Sequence, residues 1–441
     1  MAADYISITE QGLIACRKYY ARHCPPIVLF LNKTRFEHDG AMRHMKKILV
    51  FFLFFVVPAE AMAASERLEY RQQGISLNGE TVVVRLPQGY HLELLTDELD
   101  GPRLISFAAN GDLFMGSHSG HVYRLPPPYR QPEILVELDD YPHSVAFRDG
   151  EILIAQTAGV YRASYQPGQK TLAPEALSLL APLPGGGGHN SRSLRIGPDG
   201  RVYVSLGISG NCSDQYLGDG YDIEDRRGGV LVLDESGDRP IWQVFASGLR
   251  NPVGFDWHPG SGIMYASNNG PDHWGFELPP EYFARLTPGS FHGMPWFQYD
   301  GKRLQRDDCI NGKPPRPMTA VSLPAASFPA RNAPMAVAFV PKGHFIQALE
   351  HDAIVALKGS WGTQPRGDAF GNPATRREPK LVAVRFRGGE VQGVDDLVTG
   401  FQFESGARWA RPVGVAFGPD GALYFSSDSG INGLFRLTKM N

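Results

Sequence analysis

The stretch GPDGRVYVSLG, residues 197–207, carries a pattern that occurs six times along the chain and from which the fold can be predicted. In each copy a turn rich in glycine, aspartate or proline precedes five to seven apolar residues, and small residues follow. Runs of this length, rich in Val, Ile, Leu, Phe and Tyr, are typical of β-strands. From Gly111 to Gly421 the copies recur on average about every 62 residues. The other five copies are AANGDLFMGSHSG (108–120), FRDGEILIAQTAG (147–159), HPGSGIMYASNNG (258–270), EHDAIVALKGS (350–360) and GPDGALYFSSDSG (418–430).

A unit of several strands that repeats along a chain predicts a β-propeller. A single four-stranded sheet cannot bury both of its faces, whereas sheets packed radially around an axis can. We therefore expect an all-β fold, a six-bladed β-propeller of four-stranded antiparallel blades, with insertions mainly between Gly262 and Asp352. The 50 glycines and 35 prolines suit short strands joined by tight turns. A β-sandwich or a solenoid with chance turns is the alternative.

Residues 45–64 read MKKILVFFLFFVVPAEAMAA, in which two lysines precede an apolar run and several alanines. This order predicts a secretory signal peptide, and an uncleaved anchor is the alternative. Because signal peptides begin near the initiator methionine, we expect Met42 or Met45 to be the start and residues 1–44 to be a non-native upstream extension. Residues 65–441 are then the mature protein, a single propeller domain. We expect it to be periplasmic or secreted, with no stable membrane insertion after cleavage.

The net charge and the spacing of the cysteines argue against nucleic-acid binding and against zinc or haem sites. A net charge of −3 implies no basic face for nucleic acid. The expected mature chain keeps two cysteines, Cys212 and Cys309, whose spacing fits no zinc or haem signature. In an oxidising compartment we expect them to form one disulfide, and two free buried thiols are the alternative.

Several polar residues fall in the loops that a propeller gathers at one end of its channel. His189 follows four consecutive glycines, and histidine is a common general base near neutral pH. Arg250 and Asn251 lie between a turn and a strand, Lys358 ends a repeat strand, and Arg411 precedes another. Each alone would usually be a solvated surface residue. Their recurrence at comparable places in several repeats suits a polyanionic ligand.

Four blocks of sequence resemble the glucose/sorbosone dehydrogenase family that depends on pyrroloquinoline quinone (PQQ). The second and third blocks are most similar to its sorbosone-type branch. The resemblance extends from about residue 85 to residue 437, and it implies a six-bladed propeller with PQQ at the channel mouth. The blocks are GGGHNSRSLRIGPDGRVYVSLG (186–207), FASGLRNPVGFDWHP (245–259), NNGPDHWGFELPPEYFARLTPGSFHGMPW (268–296) and ALKGSWG (356–362).

The resemblance assigns chemistry to His189, Gly270 and Pro271. His189 matches the histidine that takes the proton of the substrate hydroxyl while hydride passes to the quinone. Gly270 and Pro271 match the backbone-carbonyl ligands of a calcium ion that polarises the quinone. Considered without the resemblance, a Gly-Pro turn exposes carbonyls of the kind that calcium accepts, but a simple surface turn explains the spacing as well.

Four further residues match contacts to the cofactor. Arg250 and Asn251 match the pair that contacts PQQ, and Lys358 and Arg411 match cations that contact its carboxylates.

The chain also departs from the glucose-oxidising branch. That branch has an acidic residue just before the catalytic histidine, where this chain has Gly188, and a second arginine where this chain has Val413. These departures put glucose itself in doubt as the substrate. The family carries a glutamine in an early blade, and His143 and Gln156 are the nearest polar candidates for that position.

The sequence thus predicts an oxidoreductase that oxidises a sugar, an aldose or a sugar-derived aldehyde or alcohol by hydride transfer to calcium-bound PQQ. The partners would be a small-molecule sugar and a separate electron acceptor, because the chain has no CxxCH haem motif. A gluconolactonase-like metal-dependent hydrolase and a binding propeller with a decayed redox site are the alternatives. Cationic channel residues disfavour a bare metal, and the retention of His189, Arg250, Asn251 and Lys358 together argues against decay.

Overall fold

The computed structural model describes residues 67–77, 79–343 and 346–440, which contain 29 strands, numbered β1 to β29 along the chain. The N-terminal strands are β1 (Tyr70–Leu77), β2 (Glu80–Pro87) and β3 (Tyr90–Thr96). Blade 1 consists of β4 (Pro102–Phe107), β5 (Leu113–Ser117), β6 (His121–Leu125) and β7 (Glu133–Glu137). Blade 2 consists of β8 (Ser144–Arg148), β9 (Glu151–Gln156), β10 (Gly159–Ser164) and β11 (Ser178–Pro182).

The middle of the chain forms blades 3 and 4 and a short hairpin. Blade 3 consists of β12 (Arg192–Ile196), β13 (Val202–Leu206), β14 (Gly229–Asp234) and β15 (Ile241–Ser247). Blade 4 consists of β16 (Phe255–Trp257), β17 (Met264–Asn268), β18 (Glu281–Leu286) and β22 (Ala326–Phe328). Between β18 and β22 lie β19 (Ser290–Phe291), which pairs in parallel with β15, and the hairpin of β20 (Phe297–Tyr299) and β21 (Leu304–Arg306).

The C-terminal part forms blades 5 and 6. Blade 5 consists of β23 (Pro334–Phe339), β24 (Ala353–Leu357), β25 (Lys380–Arg387) and β26 (Glu390–Val398). Blade 6 consists of β27 (Pro412–Phe417), β28 (Leu423–Ser429), β29 (Ile431–Lys439) and the N-terminal β3. The helices of the described residues are single 3-10 turns at Pro174–Ala176, Ile223–Asp225, Met318–Ala320, Gln347–Leu349 and Pro373–Thr375.

Each sequence repeat forms the second strand of its blade, namely β5, β9, β13, β17, β24 and β28. These strands are apolar along most of their length because both faces of a blade pack against neighbouring blades. The AIVAL of β24 and the VYVSL of β13 are buried at every position. The outermost strands β15 and β26 are mostly exposed or half-buried and carry more polar residues. The predicted six-bladed propeller is therefore confirmed.

The glycine and the aspartate of the repeated PDG turn each have a structural role. The glycines at 200 and 421 have φ values of 78° and 74°, which favour glycine. In the same two copies Tyr203 and Tyr424 donate their hydroxyls to the turn aspartates Asp199 and Asp420, at 2.9 and 2.8 Å. The turn therefore ties each first-to-second strand connection to the strand that follows.

The ring closes in blade 6, where the N-terminal strand β3 pairs antiparallel with the last strand, β29. The first strands β4, β8, β12, β16, β23 and β27 surround a central cavity of about 380 Å³. Its lining takes one or more side chains from each blade, among them Leu104, Val145, Leu194, Trp257, Ala338 and Val415.

The expected disulfide is present, since Cys212 pairs with Cys309 across a Cα–Cα distance of 5.3 Å. It joins the loop after β13 to the segment after β21. The predicted signal peptide at residues 45–64 and the upstream extension at 1–44 lie outside the described residues. Among the residues that are described, no helix has the length and apolar character needed to cross a membrane.

Candidate active site at the channel mouth

The loops before the first strand and after the second strand of every blade open at the same end of the ring, because neighbouring strands run antiparallel. We call this end the mouth. The structure brings all of the sequence-predicted site residues to it. Before β12, β16 and β27 lie His189, Arg250, Asn251 and Arg411, and after β17 and β24 lie Gly270, Pro271 and Lys358.

His189 is half-buried and held by one backbone hydrogen bond. Its Nδ1 donates to the carbonyl of Ile208, which can only accept. The Nε2 atom then carries the lone pair and is the proton acceptor. Burial, followed by the positive charge of Arg250, lowers the pKa of His189 to about 4. The imidazole is therefore neutral at pH 7 and is available as a general base.

Two glycines explain the close packing around this imidazole. A Cβ at Gly188 would lie 1.9 Å from the carbonyl oxygen of Ser209, and the φ of Gly188 is +78°. No side chain fits there without moving the segment that holds His189. A Cβ at Gly207 would lie 2.5 Å both from Asn251 Oδ1 and from His189 Cβ. Glycine at 207 therefore allows His189 and Asn251 to approach each other.

Arg250 is 6% exposed and keeps one donor without a partner. Its Nη2 donates to Asn211 Oδ1 at 2.7 Å and lies 3.4 Å from Asp272 Oδ2. Its Nη1 reaches the carbonyl of Asn269 only at 3.5 Å, and its buried Nε has no hydrogen-bond partner. A buried guanidinium with an unused N–H is suited to an anionic ligand at the mouth.

The sequence reasoning missed Arg331, which is 1% exposed and precedes β23. Its Nη1 donates to the Pro271 carbonyl at 2.9 Å and to Asp272 Oδ1 at 2.5 Å. Its Nε donates to the Gly275 carbonyl at 3.0 Å, and its Nη2 to the Leu278 carbonyl at 2.9 Å. Arg331 thus fixes the loop after β17. A signal was available, since Arg250, Arg331 and Arg411 each stand shortly before a proline that leads into a first strand.

The predicted calcium ligands are buried, and their two carbonyls differ in their partners. The Pro271 carbonyl accepts from Arg331, which leaves one lone pair, whereas the Gly270 carbonyl accepts no hydrogen bond from the described residues. Glu281 lies in the same region, and its buried Oε2 has no hydrogen-bond partner. Burial, only partly opposed by Arg331 and Arg250, raises the pKa of Glu281 to about 8. At pH 7 the Glu281 side chain is therefore mostly a neutral carboxyl group. Its unpartnered oxygen and the open Gly270 carbonyl are oxygen ligands of the kind that a hard cation takes.

A second set of charges faces the site from blades 1, 5 and 6. Lys358 Nζ donates to Asp428 Oδ2 at 2.6 Å, and Arg103 pairs with the same oxygen. Arg411 Nε donates to the Lys358 carbonyl at 3.2 Å. Burial, followed by the charge of Arg103, lowers the pKa of Lys358 to about 8. One carboxylate thus faces three cations, so the set has an excess of positive charge that suits an anionic ligand.

Arg103 and Asp428 could not be singled out from the sequence, because they meet only where blades 1 and 6 pack side by side. Of the two early-blade candidates, His143 is fully buried, with Nε2 3.4 Å from Arg103 Nη2. Gln156 ends β9 and is 6% exposed. Val413 is fully buried within β27, so that position presents no side chain to the mouth.

Comparison with known proteins agrees with this architecture. Residues 84–278 match the TrAA12-like family model. The match runs from β2 to the loop after β17 and so includes five of the seven predicted residues, while Lys358 and Arg411 lie beyond it. An uncharacterized protein of Borreliella burgdorferi is 23% identical over 369 residues, which cover 81% of this chain and 91% of that protein.

Solved structures of similar fold come from fungi and bacteria. The iodide structure of Trichoderma reesei carbohydrate-active enzymes family AA12 has a TM-score of 0.68 at 19% identity, covering 85% of this chain and 99% of that one. The holo form of the pyranose dehydrogenase PQQ domain from Coprinopsis cinerea has a TM-score of 0.62 at 18% identity, covering 81% and 97%. The soluble aldose sugar dehydrogenase of Escherichia coli has a TM-score of 0.57 at 15% identity, covering 80% and 100%. At these identities the likeness establishes the fold.

Proposed function

We propose that this protein is an oxidoreductase that uses PQQ to oxidise a hydroxyl or aldehyde group of a sugar. The observation that carries the proposal is that a neutral histidine and cations from blades 4, 5 and 6 lie together at one channel mouth. His189 offers a free Nε2, and Arg250 beside it offers an unused N–H. The names of the similar folds support the same chemistry, since they include a PQQ domain of a pyranose dehydrogenase and an aldose sugar dehydrogenase.

The residues at the mouth fit an anionic cofactor. PQQ carries three carboxylates and an ortho-quinone, and when bound it would supply the hydride acceptor that amino-acid side chains lack. Arg250 would contact it from blade 4, Lys358 from blade 5 and Arg411 from blade 6. Asn251 would add an amide donor and acceptor beside His189. Because Asp428 neutralises only part of the charge of its cationic neighbours, carboxylates of the cofactor would complete the balance.

The protein's own part in the reaction is proton transfer and orientation. His189 Nε2 would take the proton of the substrate hydroxyl, while the Ile208 carbonyl holds Nδ1–H and so fixes the ring. A positioned general base of this kind typically contributes about 10²–10⁴-fold to the rate. The lowered pKa of His189 keeps the base unprotonated across the neutral range.

Calcium at the Gly270 and Pro271 carbonyls belongs to the proposal as a Lewis acid next to the cofactor. The open Gly270 carbonyl and the orphaned Glu281 oxygen support it, and a calcium structure of the Trichoderma reesei family AA12 protein has the same fold. A calcium ion there would share the Pro271 carbonyl with Arg331. Removal of the metal with a chelator tests the calcium site separately from the PQQ site.

The proposal also covers the class of sugar substrate, the electron acceptor and the cellular compartment. The resemblance of residues 245–259 and 268–296 to the sorbosone-type branch supports a substrate other than glucose, and so does the glycine at 188 in place of the acidic residue of the glucose-oxidising branch. A separate electron carrier would take the electrons, in the periplasm or outside the cell.

Reconstitution tests the proposal directly. Purified protein would be mixed with PQQ, with and without calcium, and assayed with a panel of aldoses, sugar alcohols and sugar aldehydes using a dye as electron acceptor. The proposal predicts substrate-dependent dye reduction that requires PQQ. Lactone hydrolysis without PQQ would favour a hydrolase instead, and PQQ binding without turnover on any substrate would favour a decayed, binding propeller.

A further inference from the structure

A second cavity, with a volume of about 430 Å³, opens next to the loop after β17. Its other wall is the end of β21 and the segment that follows this strand. We call this cavity the side groove. Cavities of about 300–1,000 Å³ are large enough to hold a small ligand. The side groove is lined by residues that include His273, Trp274, Leu278, Gln305, Asp307 and Asp308.

Two connections place the side groove beside the His189 site. Trp274 follows Pro271 by only three residues, so the Cα atoms of these two residues are at most about 11 Å apart. On the other side, His189 bonds to the segment after β13, and Cys212 of that segment forms the disulfide with Cys309 at the groove wall. A substrate that is longer than one sugar unit can therefore reach the groove from the mouth.

The wall of the side groove that follows β21 is held in place without a ligand. Asp307 is 1% exposed, and its two carboxylate oxygens lie 3.0 and 3.1 Å from His273 Nε2. Arg306 Nη2 donates to the carbonyls of Ile310 and Gly312 at 2.7 and 2.8 Å. Together with the disulfide, these contacts preorganise the groove, so binding there requires little ordering of the protein.

The lining of the side groove combines apolar and uncharged or acidic polar side chains. Trp274 is half-buried, and Leu278 is 40% exposed. Asp308 is exposed, and Gln305 donates its Nε2 to Asp300, which leaves Oε1 to accept from a ligand. A pyranose ring has an apolar C–H face that can pack on an indole ring and a rim of hydroxyls that carboxylates and amides can bond. The carboxylate of Asp308 disfavours an anionic ligand in the same place.

We propose that the side groove is an accessory subsite for a neutral sugar unit, so that the preferred substrate is an oligosaccharide and not a free monosaccharide. The inference rests on the proposed function, because the terminal unit of the oligosaccharide would react at His189. The next unit packs its C–H face on Trp274, and its hydroxyls bond to Asp308 and Gln305. Binding in the groove itself requires neither PQQ nor calcium.

The test measures sugar binding to the protein without added PQQ or calcium, by isothermal titration calorimetry. The affinities of maltose, cellobiose and lactose are compared with those of glucose and galactose. The variants are Trp274→Ala and Asp308→Ala, and the second replaces an exposed side chain, so it should fold even if the first does not. Trp361→Ala is the matched control, because Trp361 is a 50% exposed tryptophan in the loop after β24 and lies outside the groove.

We expect at least one disaccharide to bind wild type about tenfold more tightly than its monosaccharides, a gain of the size that one aromatic contact gives. This ratio should fall toward one in Trp274→Ala, decrease in Asp308→Ala and stay unchanged in Trp361→Ala. Disaccharides that bind wild type no more tightly than monosaccharides, or not at all, would overturn the proposal. An unchanged ratio in folded Trp274→Ala or in Asp308→Ala would also overturn it.

The two proposals can fail separately. Groove-dependent disaccharide binding in a protein that never reduces the dye would refute the oxidoreductase and leave the sugar subsite. PQQ-dependent dye reduction with no groove-dependent binding would refute the subsite and leave the oxidoreductase.

Discussion

Replacing Gly207 with alanine should disable the site without removing any functional group. The added Cβ would lie 2.5 Å from both His189 Cβ and Asn251 Oδ1, whereas ordinary contacts begin at 3.4 Å. The two side chains must therefore separate by about 1 Å, and a misplacement of about 1 Å can cost about 100-fold in turnover. Overpacking of this kind typically destabilises a protein by about 1–3 kcal/mol. Gly207 has no left-handed φ, so the effect is steric and not a backbone effect.

The assay compares PQQ-dependent dye reduction and thermal melting in Gly207→Ala and in a matched control. Gly187→Ala is that control, since a Cβ there meets nothing within 4 Å and Gly187 lies two residues before His189. We expect turnover to fall about 100-fold in Gly207→Ala and to stay at the wild-type level in Gly187→Ala. Full turnover in a folded Gly207→Ala would refute the placement of His189 beside Asn251.

Three further predictions concern the cofactor, the metal and pH. Arg250→Ala should weaken PQQ binding by about 1.5–3 kcal/mol, because a charge-assisted hydrogen bond is lost. The affinity would be measured by titration of the quinone absorbance, and an unchanged affinity would show that PQQ binds elsewhere. Chelation should abolish dye reduction, and added calcium should restore it. Full activity in the presence of chelator would show that the protein does not need calcium. Burial lowers the pKa of His292 to about 4, so the folded protein binds a proton there less readily than the unfolded chain does. The folded state therefore has its full stability above about pH 6.5, and protonation of the unfolded chain lowers the free energy of unfolding by up to about 3 kcal/mol as the pH falls toward 4. Denaturation curves at several pH values should show a smaller loss of unfolding free energy at low pH in His292→Gln than in wild type. An equal loss in the two proteins would contradict the role of His292.

The fold was predictable because the repeat marks a strand buried on both faces. The second strand of each blade must be apolar along its length, so β13 and β24 stand out in the sequence however long the intervening loops are. The closure of the ring was not predictable in the same way. The pairing of β3 with β29 brings together the two ends of the propeller, and no local pattern marks it.

Site residues could be predicted from the sequence when they directly precede a first strand or directly follow a second strand, because these positions lie at the mouth. His189, Arg250 and Lys358 reach the mouth for that reason. The partners of these residues could not be predicted in the same way. Arg331 and Asp428 become important because loops from different blades converge, and the choice of which charges pair depends on distances that the sequence does not contain.

A comparison of PQQ affinity and turnover between wild type and His189→Ala tests whether His189 is the general base. Because His189 is proposed to abstract the proton and not to hold the cofactor, this variant should bind PQQ with wild-type affinity, measured by quinone absorbance. Its turnover at saturating PQQ should fall by about 10²–10⁴-fold. A variant that loses PQQ affinity yet keeps full turnover at saturating cofactor would show that His189 is a binding residue and would contradict the account.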